Sequence, residues 1–170
     1  MLTADEKRAV AGATRVMQII ILALAAGVGS FLAFAVFNRD VQAGGELGLY
    51  VVLFAAGAVV AALIIPGFAM AQARRAVTEG KPMASNPYGA HEAGHLLAAY
   101  QTQKIIRAAL LEGPAFFSTF VYMQGGPEYT LYIAIGMIVA ILALFPFRRS
   151  LEEWLERELR TLREMQALRR

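Results

Sequence analysis

The sequence predicts an all-α polytopic membrane protein: four transmembrane helices followed by a C-terminal amphipathic cytoplasmic helix. Three observations predict it. Of the 170 residues 58% are hydrophobic and 17% charged, where a soluble domain carries about a quarter charged, and the mean hydropathy is +0.51. The apolar residues gather into runs of roughly 20, the length that crosses a bilayer. The lysines and arginines, finally, concentrate in alternate loops, which is the bias that orients a membrane protein.

Residues 1–15 form the N-terminal cytoplasmic segment. Thr3 and Glu6 stand at capping-box spacing, and Lys7, Arg8 and Arg15 precede the apolar residues. From Val16 to Phe37 only Gln18 and Ser30 are polar, and 22 residues rising about 1.5 Å each reach roughly 33 Å, enough for a hydrocarbon core of about 30 Å. The run passes beyond the Ala33 and Ala35 pair and exceeds the apolar region of a signal peptide, about 7–15 residues. An uncleaved anchor is expected. A polar loop with Asn38, Arg39, Asp40, Gly44, Gly45 and Glu46 leads to a second span, Leu49–Ala71, so that 16–73 make a first hairpin. Both spans carry small residues four apart, Ala23 and Gly27 in one, Gly57 and Ala61 in the other. Such positions let helix backbones approach where no hydrophobic effect drives association. Pro66 offers no N–H to the Ala62 carbonyl, so a kink is expected there.

Residues 74–104 read as a cytoplasmic loop, Arg74 to Tyr88, and a juxtamembrane helix from about Gly89. The second hairpin, 105–147, pairs a span at Ile105–Met123 with another at Tyr129–Phe147 around a tight outer turn, Gln124 to Glu128. In 148–170, Ser150 and Glu153 repeat the capping-box spacing, and Leu151, Leu155, Leu159 and Leu162 recur at helical intervals. Glu153/Arg157 and Glu156/Arg160 stand at i,i+4. This helix is expected on the membrane surface or against its own protein, with a partner-binding or coiled-coil helix as the alternative.

The N-terminal segment, the middle loop and the tail are basic, whereas the first outer loop has only Arg39 and the second has no lysine or arginine. Both termini are therefore expected in the cytoplasm, and the membrane is expected to be the bacterial inner membrane. Because the basic residues sort by side and do not cluster, nucleic acid is not an expected partner. The expected partners are the lipid bilayer and either further copies of the chain or other subunits of a membrane complex. With no cysteine, thiolate and disulfide chemistry are excluded.

The two hairpins resemble each other. Laying Gln18–Phe37 over Lys104–Met123 aligns Leu24 with Leu110, Gly27 with Gly113 and Phe31 with Phe117. A duplication would give a parallel repeat about an axis along the membrane normal. Under this alignment Ala26 stands where Glu112 stands.

Two strings carry chemistry. His91, Glu92 and His95 spell H-E-x-x-H, which on a helix sets two histidines on one face to bind zinc, with Glu92 as the general base. The string resembles the zincin metallopeptidases, and HEAGH is similar to the zinc motif of membrane-bound AAA proteases. That resemblance covers five residues and implies His91 and His95 as metal ligands and Glu92 as catalytic. No third ligand is singled out: Glu112 lies 17 residues past His95, roughly 25 Å along a helix. The alternative is a juxtamembrane helix whose polar face carries two histidines; no cofactor is expected, and zinc is the one that this string would admit.

The second string surrounds Glu112, about 10 Å into the bilayer when Ile105 marks its edge. An ionisable residue in a span marks a functional site with a partner to be found. Gly113 and Pro114 follow, so the Leu110 carbonyl loses its helical donor beside the carboxyl. TQKIIRAALLEGPAFFSTFVY resembles the carboxylate-bearing helix of rotary ATPase proteolipids, the subunit c family, which implies a proton- or sodium-binding role for Glu112. The middle loop is longer than that family's polar turn, and Arg107 lies within the span. The LLEGPAFF string is also similar to one in uncharacterised bacterial four-span proteins, which implies no activity. The alternative role is packing, with Glu112 paired to Arg107, Arg15 or Gln18. The leading expectation is a non-enzymatic structural or accessory protein with a buried Glu112; the second is the zinc peptidase.

Overall fold

The computed structural model describes residues 2–39, 47–78, 88 and 92–168. Five helices make them up: α1 (Ala4–Phe37), α2 (Gly48–Thr78), α3 (Glu92–Met123), α4 (Tyr129–Ala143) and α5 (Arg148–Leu168). Among the described residues there is no strand. α1, α2 over Gly48–Gln72, and α3 are each long and apolar enough to cross a membrane; a fourth crossing results if α4 and the helix after it count as one broken span.

The capping box at the N-terminus forms. The Glu6 amide donates to Thr3 Oγ1 at 3.2 Å, and the Thr3 amide donates back to Glu6 Oε2 at 2.6 Å, satisfying two amides that a helix start leaves open. α1 then runs unbroken through the apolar residues, and α3 likewise joins the expected juxtamembrane helix and third span in one element. α2 continues to Thr78, four residues past Arg74, where the loop was expected to open. The rest of that loop, 79–87, lies outside the described residues, as do 40–46 of the first loop.

α4 is shorter than its apolar run. It ends at Ala143 and not at Phe147, and 15 residues at about 1.5 Å each give roughly 22 Å, short of the core thickness. The cause is Pro146. It brings no N–H to the Leu142 carbonyl and disfavours helix at Phe145, so the Phe145 amide bonds that carbonyl at 3.0 Å and the Leu144 amide bonds the Ile141 carbonyl at 3.0 Å. These i→i−3 bonds close the helix in a tightened turn. α5 begins just beyond, at Arg148, which places Ser150 inside the helix instead of at its cap. Glu153 consequently pairs with Arg149 at 3.0 Å, not with Arg157, and Arg148 pairs with Glu152 at 2.8 Å.

The chain divides into two compact units. The first comprises Met1–Ile19, Pro66–Lys104 and Pro146–Arg170, the second Ile20–Ile65 and Ile105–Phe145. The hairpins do not separate; both contribute to the second unit. In the first unit Val10, Ala13 and Met17 of α1, Ala93, Leu96 and Leu97 of α3 and Leu151, Leu155, Leu159 and Leu162 of α5 form one core. Tyr100 and Trp154 pack beside it with ring centroids 4.6 Å apart. Gln18 donates to the Pro146 carbonyl at 3.0 Å, giving the proline break an anchor. In the second unit the core is built from Ile21, Ala25 and Val28 of α1, Ala55 and Ala62 of α2, Ala108, Leu111 and Ala115 of α3, and Met137 and Ile141 of α4.

The turn between α3 and α4 follows from two glycines. Gly125, at φ 78, takes the left-handed conformation that ends helices. Its amide bonds Tyr122 O at 3.1 Å while the Gly126 amide reaches back to Val121 O at 2.9 Å, the two bonds of a Schellman motif. A Cβ at Gly126 would come 2.6 Å from that Val121 oxygen. Arg39, just past α1, lies over this turn: its guanidinium stands 4.5 Å from the Tyr122 ring centroid and donates to Gly126 O at 3.1 Å.

Candidate functional site

α3 carries the predicted site residues, and the periodicity of its buried positions decides where each stands. In the first unit Ala93, Leu96 and Leu97 turn inward at i, i+3 and i+4. This leaves Glu92 exposed in the first turn and His95 half-buried. Glu92 lines an open cavity of about 510 Å³ together with Asp5 and Glu6 of α1, Tyr88, and Arg163 of α5. His91 lies outside the described residues. Among the described residues no three of His, Asp and Glu gather as a metal-binding group.

Tyr88 donates to Gln101 Oε1 at 2.5 Å. Burial raises the phenol's pKa above its usual 10.0. The contact spans 13 positions, and no local pattern announces it.

In the second unit the buried face of α3 runs Ala108, Leu111, Ala115, Ser118, Thr119, Tyr122. Its two buried hydroxyls are satisfied within the helix: Ser118 donates to Pro114 O at 2.6 Å and Thr119 to Ala115 O at 2.8 Å. Glu112 sits at the margin of this face, half-buried, directly after buried Leu111. Gly113 beside it meets the Phe54 ring at 3.7 Å from its Cβ position, and that ring stands edge-on to Phe117 with centroids 5.8 Å apart. The Leu110 carbonyl has no amide at Pro114 to receive. The local setting is thus a carboxyl and an acceptor freed from the helix ladder, with an aromatic pair packed beside Gly113.

The pairing expected for Glu112 is not formed. Among the described residues it makes no hydrogen bond and no ion pair. Arg107 precedes it by five positions, which at about 100° per residue sets the two side chains roughly 140° apart around the helix. Gln18 is engaged with the Pro146 carbonyl, and Arg15 is exposed. Arg107 itself lies half-buried, its Nε enclosed and without a hydrogen-bond partner.

No family model, curated protein or solved structure matches the chain. The chemistry of these residues is what speaks to function.

Proposed function

We propose that this chain is a small integral protein of the bacterial inner membrane, of structural or accessory type, in which Glu112 takes up a proton or a cation. In this reading α4 with the residues up to Phe147 makes the fourth span, both termini lie in the cytoplasm, and α5 is the amphipathic cytoplasmic helix after it. The observation that carries the reading is the unpartnered Glu112 beside the Gly113–Pro114 step of an apolar helix. A packing role would require a cationic or donor side chain at the carboxyl, and the described residues supply none. The freed Leu110 carbonyl supplies the second oxygen that a bound cation, or a water held by a protonated carboxyl, would use. The likeness of this stretch to the carboxylate helix of rotary ATPase proteolipids points the same way.

The test is chemical modification in membranes. A hydrophobic carbodiimide, which attacks only a protonated carboxyl, should label Glu112, and Glu112→Gln should abolish labelling while leaving the folded protein intact. Protection by sodium ions would identify a cation site; protection by raised pH alone would identify a proton site. Absence of labelling, together with a loss of about 3–5 kcal/mol in Glu112→Gln that a second change at Arg107 restores, would establish a buried ion pair instead. Topology has its own test. Reporters fused after Gly45 and Gly126 should read outside and those after Lys81 and Arg170 cytoplasmic, and a cytoplasmic signal after Gly126 would remove the fourth span.

A further inference from the structure

The second unit contains a cleft of about 270 Å³ between α2, α3 and the end of α4. Val59 and Leu63 form one wall, Leu111 the back, and Ala143 and Leu144 the other wall; among the described residues Arg107 is the one polar residue lining it. Val59 and Leu63 are 39% and 69% exposed, so the cleft opens onto the apolar flank of the unit. Arg107 Nε is buried without a hydrogen-bond partner, and no ion pair reaches the guanidinium among the described residues. A guanidinium stays charged at any pH a protein survives, so this group has no neutral form to fall back on. None of the described residues supplies its missing acceptor, which leaves the place for a ligand.

Three features describe that acceptor. It is an anion, because five N–H donors in a planar fork match a phosphate or carboxylate. It brings apolar length, because every other lining residue is a hydrocarbon side chain. And it sits at a membrane–water boundary, because Arg107 follows the start of the apolar run at Ile105 by two residues, about 3 Å of helix rise. A soluble anion lacks the second property and a fatty chain alone lacks the first. We propose that this cleft binds one anionic glycerophospholipid, its phosphate on Arg107 and an acyl chain along Val59, Leu63 and Leu111. Basic pockets between transmembrane helices recognise such headgroups by the same chemistry. The site stands on the membrane reading but not on any role of Glu112, whose side chain it excludes.

Native mass spectrometry of the full-length protein, delipidated in detergent and titrated with phosphatidylglycerol or with phosphatidylcholine of the same acyl chains, tests the proposal. The wild type should hold one phosphatidylglycerol with a preference of about fivefold over phosphatidylcholine, the factor one interfacial cation provides. Arg107→Gln should bring the two lipids level, and Arg107→Lys should keep part of the preference. Ala143→Phe, which fills the cleft from an exposed position, should reduce binding of both lipids, and it decides the matter if Arg107→Gln does not fold. An undiminished preference in Arg107→Gln or undiminished binding in Ala143→Phe would overturn the site. Inorganic phosphate displacing the lipid at equal concentration would overturn it too, by making the acyl chain irrelevant.

Discussion

Among the described residues, seven of the eleven in the first unit's core cluster are leucine, whereas five of the ten in the second's are alanine and one is leucine. The outsides differ in the opposite sense. Of 25 large apolar side chains exposed among the described residues, only Val16, Ile19, Phe68 and Phe147 belong to the first unit. Leucine inside and charge outside is the arrangement that water enforces, since burial of apolar area is what stabilises it. Alanine inside and leucine or phenylalanine outside is the arrangement for an apolar solvent, where burying a large side chain gains little and close backbone approach gains dispersion. One chain thus follows two solvents' rules in two units. The lesson is that hydropathy alone misreads where the strong cores lie: the more hydrophobic unit has the smaller buried side chains.

The largest effect expected from this contrast is in Leu155→Ala. Leu155 is fully buried in the first unit, and its truncation should cost about 2–5 kcal/mol, read by the fluorescence of the single tryptophan, Trp154, during denaturation in detergent. Leu63→Ala, at a position 69% exposed in the second unit, should change stability by less than about 0.5 kcal/mol. Equal losses at the two positions would break the two-solvent account. A middle-sized effect of inverted sign in size is expected at Ala108, buried completely in the second unit: Ala108→Leu should destabilise by about 1–3 kcal/mol, because added methylenes force helices apart. Thermal aggregation of the detergent-solubilised variant would reveal it, and a neutral result would mean that the alanine seam is loosely packed.

The smallest effect concerns Tyr88 in the first unit. Burial raises its native pKa above 10.0, so the folded chain holds a proton that the unfolded chain releases near pH 10. The stability tied to that proton is complete below about pH 10 and is lost as pH climbs through the raised native value. Tyr88→Phe should flatten this part of the alkaline stability profile relative to the wild type. A profile unchanged by the substitution would show that the phenol is no more sheltered than a surface tyrosine.

Helices were legible in the sequence wherever one local pattern decided them: the Thr3–Glu6 box, the 3.6-residue leucines of α5, the Gly125–Gly126 turn. The end of α4 was not, because Pro146 acts on a carbonyl four residues upstream while the apolar run continues to Phe147. The Glu153–Arg149 pair escaped for the same reason, since the helix start moved two residues ahead of the serine expected to cap it. At the candidate site, Glu112 and its Gly-Pro neighbour stood out as a charge in an apolar run. The partner expected at Arg107 did not follow, because five positions is the wrong spacing for one helical face. Arg107's cleft needs α2 and α4 to exist, and no window on the chain contains all three walls.

Arg39 is the one cation of the loop between the first two spans, and its two contacts both come from the far side of the sequence, from Tyr122 and Gly126. During synthesis the first hairpin leaves the ribosome long before either contact exists. Until then none of the described residues of the second unit answers this guanidinium. The end of α1 accordingly gains its anchor only when the α3–α4 turn arrives, which makes Arg39 a latch that closes on completion of the unit. A chain halted before Gly126 would leave the end of α1 without that anchor.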